Sequence, residues 1–124
     1  MTPKSTHPQS FLPLTPFAFQ VLLALADGDR HGYAIIKEVG ERSGGQVKLR
    51  TGTLYTLLQR LLDEQLITEA EAPAPAADKV EDSRRRYYRL SPLGDAVLRA
   101  EAQRLEALIS DARRKHVLSD TSGA

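Results

Sequence analysis

The chain has 124 residues, 41% of them hydrophobic and 27% charged, which suits one globular domain with a single core and is too little for two. It contains no cysteine, so disulfides and thiolate metal sites are excluded. Its 17 basic and 16 acidic residues leave a net charge of +1, so any attraction for a polyanion has to come from how the charge is distributed rather than from its sum.

The N-terminal "MTPKSTHPQS" lacks the apolar stretch of a secretory signal, and no later segment has the length of a membrane-spanning helix. The expectation is a cytoplasmic protein with a disordered tail over 1–11. A first helix is expected near 15–27. Thr15 suits its cap and Pro16 its first position, while Phe17, Val21 and Leu25, with Ala18 and Leu22, form its buried face. A second helix starts near His31 or Gly32 and carries Tyr33, Ile36 and Val39, with Ile35, as its apolar stripe. It ends at the "SGG" of 43–45, and "QVKLR" (46–50) alternates like a short extended piece.

The third helix begins near Thr51. Leu54, Leu57, Leu58, Leu61 and Leu62 recur at helical spacing, and the opposite face carries Gly52, Tyr55, Thr56, Gln59 and Arg60. After it the period changes from helix to strand. "LITEAEA" (66–72) and "RRRYYRLS" (84–91) read as a hairpin, joined by a loop over 73–83 rich in proline, alanine and charge. Ser91, Pro92 and Asp95 then mark a strong helix start. From there Leu98, Ala102, Leu105, Ile109 and Ala112 follow a 4-3-4-3 spacing, the seam of a helix that packs on a partner helix. This helix runs to about Val117, further than so small a core can cover. "SDTSGA" (119–124) reads as a polar tail.

Three helices, a β-hairpin and a long helix make a mainly α fold: a winged helix-turn-helix over 12–91 followed by a dimerisation helix over 92–118. In such a fold the helix before the hairpin enters the DNA major groove with its N-terminal residues leading. The charge pattern agrees. Residues 46–60 hold Lys48, Arg50 and Arg60 and no acid, and "RRRYYR" (84–89) holds four arginines and no acid. Seven acids fall between them in 61–83, against one lysine.

Lys48 and Arg50 are placed to meet phosphates, Gly52 to let the backbone approach, and Arg60 to clamp a phosphate near the far end. Thr51, Thr53 and Thr56 offer short hydroxyls to a phosphate or a base edge, and Gln59 offers an amide to a base. Arg84, Arg85 and Arg86 supply attraction from the wing, although alternation puts Arg85 opposite the other two. The blander readings are a solvated surface helix and an arginine edge that discourages strand aggregation. Tyr88 is expected to pack the hairpin on the helices, with Tyr87 open to either side. His31 reads as a capping or structural histidine, and with His7 and His116 it has no metal-ligand spacing. Nothing in the chain has the pattern of a phosphate loop, a nucleophile with its base, or a cofactor site, so the expectation is a non-enzyme that needs no cofactor and no metal.

"HGYAI" (31–35), "RTGTLYTLLQRLLDEQLI" (50–67), "RRRYYRLSPLGDAVL" (84–98) and "AEAQRLEALI" (100–109), in this order, resemble the PadR family of bacterial transcriptional regulators over about residues 12–112. The resemblance implies a dimer, paired through the C-terminal helix, that binds operator DNA as a repressor and in several members responds to a small molecule. It implies that Gly52, Thr53, Leu54 and Tyr55 open the recognition helix, with Tyr55 on the DNA backbone. It also implies that Arg85, Arg86, Tyr87 and Tyr88 form the second wing strand, and that His31, Gly32 and Tyr33 open helix two in a mainly structural role. Many members have proline where this chain has Thr51, whose hydroxyl is able to cap and so to displace the helix start by a residue. The long helix has no aromatic side chain, so a stacked planar-drug pocket at the dimer interface is not implied. The partners expected are double-stranded DNA with a pseudo-palindromic operator, a second copy of the chain, an effector without an assigned identity, and no membrane. The competing class is a winged-helix protein-interaction module that does not bind DNA sequence-specifically.

Overall fold

In a computed structural model, which describes residues 7–71 and 86–119, three of the four α-helices start on a side-chain cap. Thr15 Oγ1 accepts the Ala18 N–H at 3.2 Å ahead of α1 (Pro16–Ala24), and His31 Nδ1 accepts the Ala34 N–H at 3.1 Å ahead of α2 (Gly32–Arg42). Ser91 Oγ accepts the Gly94 N–H at 2.9 Å ahead of the last helix, α4 (Pro92–Arg114). Each cap satisfies an amide that the helix itself leaves unpaired. The exception is α3 (Thr51–Asp63), where Arg50 stands at the cap and makes no side-chain capping bond.

The hydrophobic core lies where these helices meet. Val21, Leu22 and Leu25 from α1 and its end, Ile35 and Val39 from α2, and Leu54, Leu57, Leu58 and Leu61 from α3 are buried together. Val97 and Leu98 close the core from α4. Two aromatic residues expected inside are outside: Phe17 is 41% exposed and Tyr33 64% exposed. Tyr33 lies two residues before Ile35, about 200° around the helix from it, so burying Ile35 turns Tyr33 outward. Phe17 sits at the edge of the α1 arc whose middle is Ala18, Val21 and Leu25.

The sheet has three antiparallel strands rather than a hairpin alone. β1 (Arg30–His31) and β2 (Ile67–Ala70) flank the central β3 (Tyr87–Leu90). The register sets Arg30 opposite Tyr88 and His31 opposite Tyr87 on one side, with Glu69 opposite Tyr88 and Ala70 opposite Tyr87 on the other. Neighbouring strand residues point to opposite faces, and both tyrosines are nevertheless buried. Tyr88 joins the core, and Tyr87 meets the edge of the His31 ring at 5.2 Å. The extended piece expected over 46–50 forms no strand. The third strand comes instead from two residues with no alternation of their own, selected by pairing with β3.

Part of the stretch expected as an N-terminal tail, 1–11, is structured. Pro8–Phe11 forms a 3-10 turn against α4, and Phe11, Leu12 and Leu14 pack on the core. Residues 1–6, the loop of 73–83 and the polar end beyond Ser119 lie outside the described residues. α4 ends at Arg114, short of the expected Val117, and the chain reverses where His116 takes a left-handed φ of 63°.

Besides the core contacts of Val97 and Leu98, a close approach at Gly94 and hydrogen bonds at Glu101 hold α4 to the domain. Gly94 sits against the Leu66 carbonyl so closely that a Cβ there would lie 1.8 Å from the oxygen. That carbonyl is itself held, because it accepts the Ser91 N–H at 3.0 Å. One turn past Leu98, Glu101 is 1% exposed. Its Oε2 accepts the Leu14 N–H at 2.9 Å and its Oε1 accepts Arg104 Nε at 2.5 Å. The Arg104 hydrogen bond pulls its carboxyl below the usual range, burial opposes this, and the Leu14 amide adds to it.

Gly94→Ala should therefore cost more than about 2 kcal/mol, because the added methyl meets fixed backbone rather than a mobile side chain. Urea denaturation checks this. A loss near zero would mean that the α4 start moves away from β2 without cost.

Candidate nucleic-acid interface

The four buried leucines of α3 orient everything else on it. With Leu54, Leu57, Leu58 and Leu61 inward, Gly52, Thr56 and Gln59 lie at the middle of the outward arc, about 180° from the core. Thr53 and Arg60 flank that arc on the side of α1. Tyr55 flanks it on the side of α2. Thr51 is the first helical residue, so its hydroxyl does not cap and the helix start is not displaced.

With no side-chain cap, the amides of the first turn of α3 point outward at the positive end of the helix dipole. The chain leading in adds charge. Leu49 is 5% exposed and anchors the segment, and alternation turns Lys48 and Arg50 on either side of it to the surface. The ion pairs among the described residues all involve other cations. Lys48, Arg50, Thr51, Gly52, Thr53 and Thr56 are all exposed, within a stretch of chain, residues 46–60, that carries no acid.

The far end of α3 differs. Gln59 Nε2 donates to Asp63 Oδ1 at 3.0 Å, and Arg60 Nε lies 3.7 Å from Glu64. Asp63 and Glu64 make this end more acidic than the first half of the helix. The Arg60 pair is long and solvent-exposed, of the kind worth little, so Arg60 can exchange Glu64 for another anion.

Tyr55 is held from beneath. A Cβ on Gly32 would lie 2.6 Å from the Tyr55 hydroxyl oxygen, so the ring occupies the space that a side chain at 32 would take. The ring remains 46% exposed. In "HGY", His31 caps α2, Gly32 seats Tyr55, and Tyr33 lies in the open with its ring 6.3 Å from that of His31. Burial, with Tyr55 nearby, raises the Tyr88 phenol above its ordinary value and keeps it neutral.

The arginine run of the wing divides. Arg86 is exposed and pairs with Glu69 at 3.3 Å. Arg84 and Arg85 lie outside the described residues. Arg89 is committed elsewhere, donating to both carboxylate oxygens of Asp29 at 3.1 and 2.8 Å and fastening β3 to the turn after α1.

On α4 the expected seam also divides. Leu98 is 6% exposed within this chain's own core and so cannot face a partner, whereas Ala102, Leu105, Ile109 and Ala112 lie beyond the core. Leu108, 52% exposed, belongs to the same apolar strip and was missed because it falls outside the 4-3-4-3 pattern. Among the described residues no three His, Cys, Asp or Glu gather as a metal site, and no helix is long and apolar enough to cross a membrane.

Residues 21–100 match the family model described as the transcriptional regulator PadR-like family. Uncharacterized protein X of Lysinibacillus sphaericus is 32% identical over 78 residues, which span 63% of this chain and 67% of that protein. The crystal structure of a PadR family transcription regulator from Clostridium difficile R20291 is similar over 84% of this chain and 100% of its own, with a TM-score of 0.68 and 25% identity. Bacillus subtilis PadR in complex with operator DNA is similar in fold over 71% of this chain and 46% of its own, with a TM-score of 0.59 and 23% identity.

The Gly32–Tyr55 contact predicts a compensating pair. Gly32→Ala alone should cost at most about 1 kcal/mol, because the added methyl meets the end of a half-exposed ring that can shift, and in a Tyr55→Ala background, where the space is vacated, that cost should vanish. A double-mutant cycle in urea checks this, and strictly additive losses would mean that the two residues do not compete for one space.

Proposed function

Because this chain belongs to the PadR-like family of transcriptional regulators, we propose that it is a homodimeric DNA-binding repressor that reads a pseudo-palindromic operator through α3. The observation that carries the proposal is the exposed start of α3, which has no side-chain cap and follows Lys48 and Arg50 in a stretch of chain, residues 46–60, that holds no acid. A helix start of this kind attracts phosphate, and the short side chains beyond it leave room for a base edge.

The roles follow from position. Lys48, Arg50 and the amides of Thr51, Gly52 and Thr53 grip the sugar-phosphate backbone and fix the depth of α3 in the groove. Tyr55, seated on Gly32, lies along the groove wall and donates its hydroxyl to a phosphate. Thr53, Thr56 and Gln59 read bases, with Thr56 at the middle of the arc. Arg60 leaves Glu64 for a phosphate. Arg84, Arg85 and Arg86 add sequence-independent attraction from the wing. Two chains pair through Ala102, Leu105, Leu108, Ile109 and Ala112 of α4, which sets two copies of α3 about 34 Å apart in successive major grooves. Occupying the operator blocks transcription in the cytoplasm. An effector seats between α1 and α4, where Leu14, Pro16, Phe19 and Leu105 line a cleft of about 310 Å³, and it acts by changing the separation of the two α3 helices.

Gel shifts against the DNA upstream of the protein's own gene test the reading. If each half neutralises three or four phosphates, log affinity should fall against log salt with a slope of about −5 to −7. A slope near zero would overturn DNA binding. Arg50→Ala should weaken all sequences alike, whereas Thr56→Ala should change preference at particular base pairs. Leu105→Glu with Ile109→Glu should give a monomer in sedimentation, and a double variant that stays dimeric would move the interface elsewhere.

A further inference from the structure

Glu101 is the buried charged side chain among the described residues, and it is the last buried residue of α4. Beyond it, thirteen more residues run to Arg114, an arm of about 20 Å at 1.5 Å per residue. The apolar contacts of Val97 and Leu98 hold the helix to the domain but tolerate some rotation and tilt. Hydrogen bonds are directional. Glu101 Oε2 accepts the Leu14 N–H at 2.9 Å and Arg104 Nη2 at 3.0 Å, while Oε1 accepts Arg104 Nε. Leu14 directly precedes the Thr15 cap of α1, so one carboxylate ties the root of the arm to the segment that starts α1. Arg104 is on the same helix and partly exposed, so its fork orients the carboxylate, and the Leu14 N–H bond is the one that fixes the register of α4 on the domain. The lever makes that register consequential. A tilt of about 10° at the root moves the end of a ~20 Å arm by about 3.5 Å, close to the 3.4 Å step between base pairs.

We infer that Glu101 is a positioning residue that sets the angle at which α4 leaves the winged helix, and through it the half-site spacing that the dimer accepts; this rests on the function proposed above. Glu101 does not touch DNA. It acts through Leu14 and Arg104, and its contribution is specificity for spacing, not affinity for a half-site.

The test uses the full chain, operators whose half-sites are separated by varied numbers of base pairs, and a single half-site. The wild type should favour one spacing by about a hundredfold over those two or more base pairs away, because a mismatched span forfeits bivalent binding. Glu101→Leu keeps a side chain of similar length and removes the acceptor of the Leu14 N–H, the bond that crosses from α4 to the segment before α1. It should retain its dimer mass and its affinity for the single half-site, while its spacing preference falls to about threefold or less. Leu14→Pro removes the donor of the same bond and serves if Glu101→Leu does not fold. If the folded variants keep the wild-type spacing profile, the inference is overturned and the DNA-binding reading stands. If the wild type binds neither the operators nor the half-site, the reading beneath falls and takes the inference with it.

Discussion

Burial of one face of α3 governs the rest of the molecule. Leu54, Leu57, Leu58 and Leu61 lie in the core. Each buried leucine is worth about 1.5–3 kcal/mol, so rotating the helix to present any other face would cost more than a domain of this size can lose. The outward face is therefore free of any packing role, and its residues are small or polar. Gly52, Thr53 and Thr56 expose backbone and hydroxyls, and the one aromatic residue there, Tyr55, is steadied by the missing side chain of Gly32. Stability and recognition occupy opposite sides of one helix.

Charge follows a similar division. Among the described residues, several cations are paired with acids. Arg30 bridges Asp27 and Glu38, Arg42 bridges Glu38 and Gln20, Arg89 is clamped to Asp29, and Arg99 pairs with Asp95. Lys48 and Arg50 are spared this, and they stand where the helix dipole of α3 also attracts an anion. The acids Asp63 and Glu64 stand at the other end of the same helix. The local field matters more than the sum, because exposed charges further apart than about 8–10 Å are largely screened at physiological salt.

α4 joins two structural regimes. Its first turns belong to the core, with Gly94 pressed on the Leu66 backbone just before β2 and Val97 and Leu98 inside. Past Glu101 the cover thins: Leu105 still borders α1 across a cleft, whereas Leu108 and Ile109 are exposed. The heptad spacing was legible from the sequence, but spacing alone carries no mark of where the core stops. Leu98 fits the repeat as well as Leu105 does, yet one is inside this chain and the other is on the arm. Glu101 was not legible at all. A glutamate among alanine, glutamine and arginine on a helix reads as solvated surface, and its partner Leu14 stands 87 residues away.

Local chemistry was enough for the sequence to settle the helices, their caps and the leucine face. The cap at Thr15, His31 and Ser91 acts three residues ahead, and a helical face repeats every three or four residues, so both are written in short windows. The resemblance to PadR regulators was carried by similarly short stretches. Three things waited for the tertiary structure: the pairing of Arg30–His31 with Tyr87–Tyr88, the seating of Tyr55 on Gly32, and the Glu101 bond to Leu14. Each joins residues far apart in the chain and depends on where whole elements come to rest. Only burial distinguishes an arginine clamped to a carboxylate, or a leucine in the core, from one left facing outward.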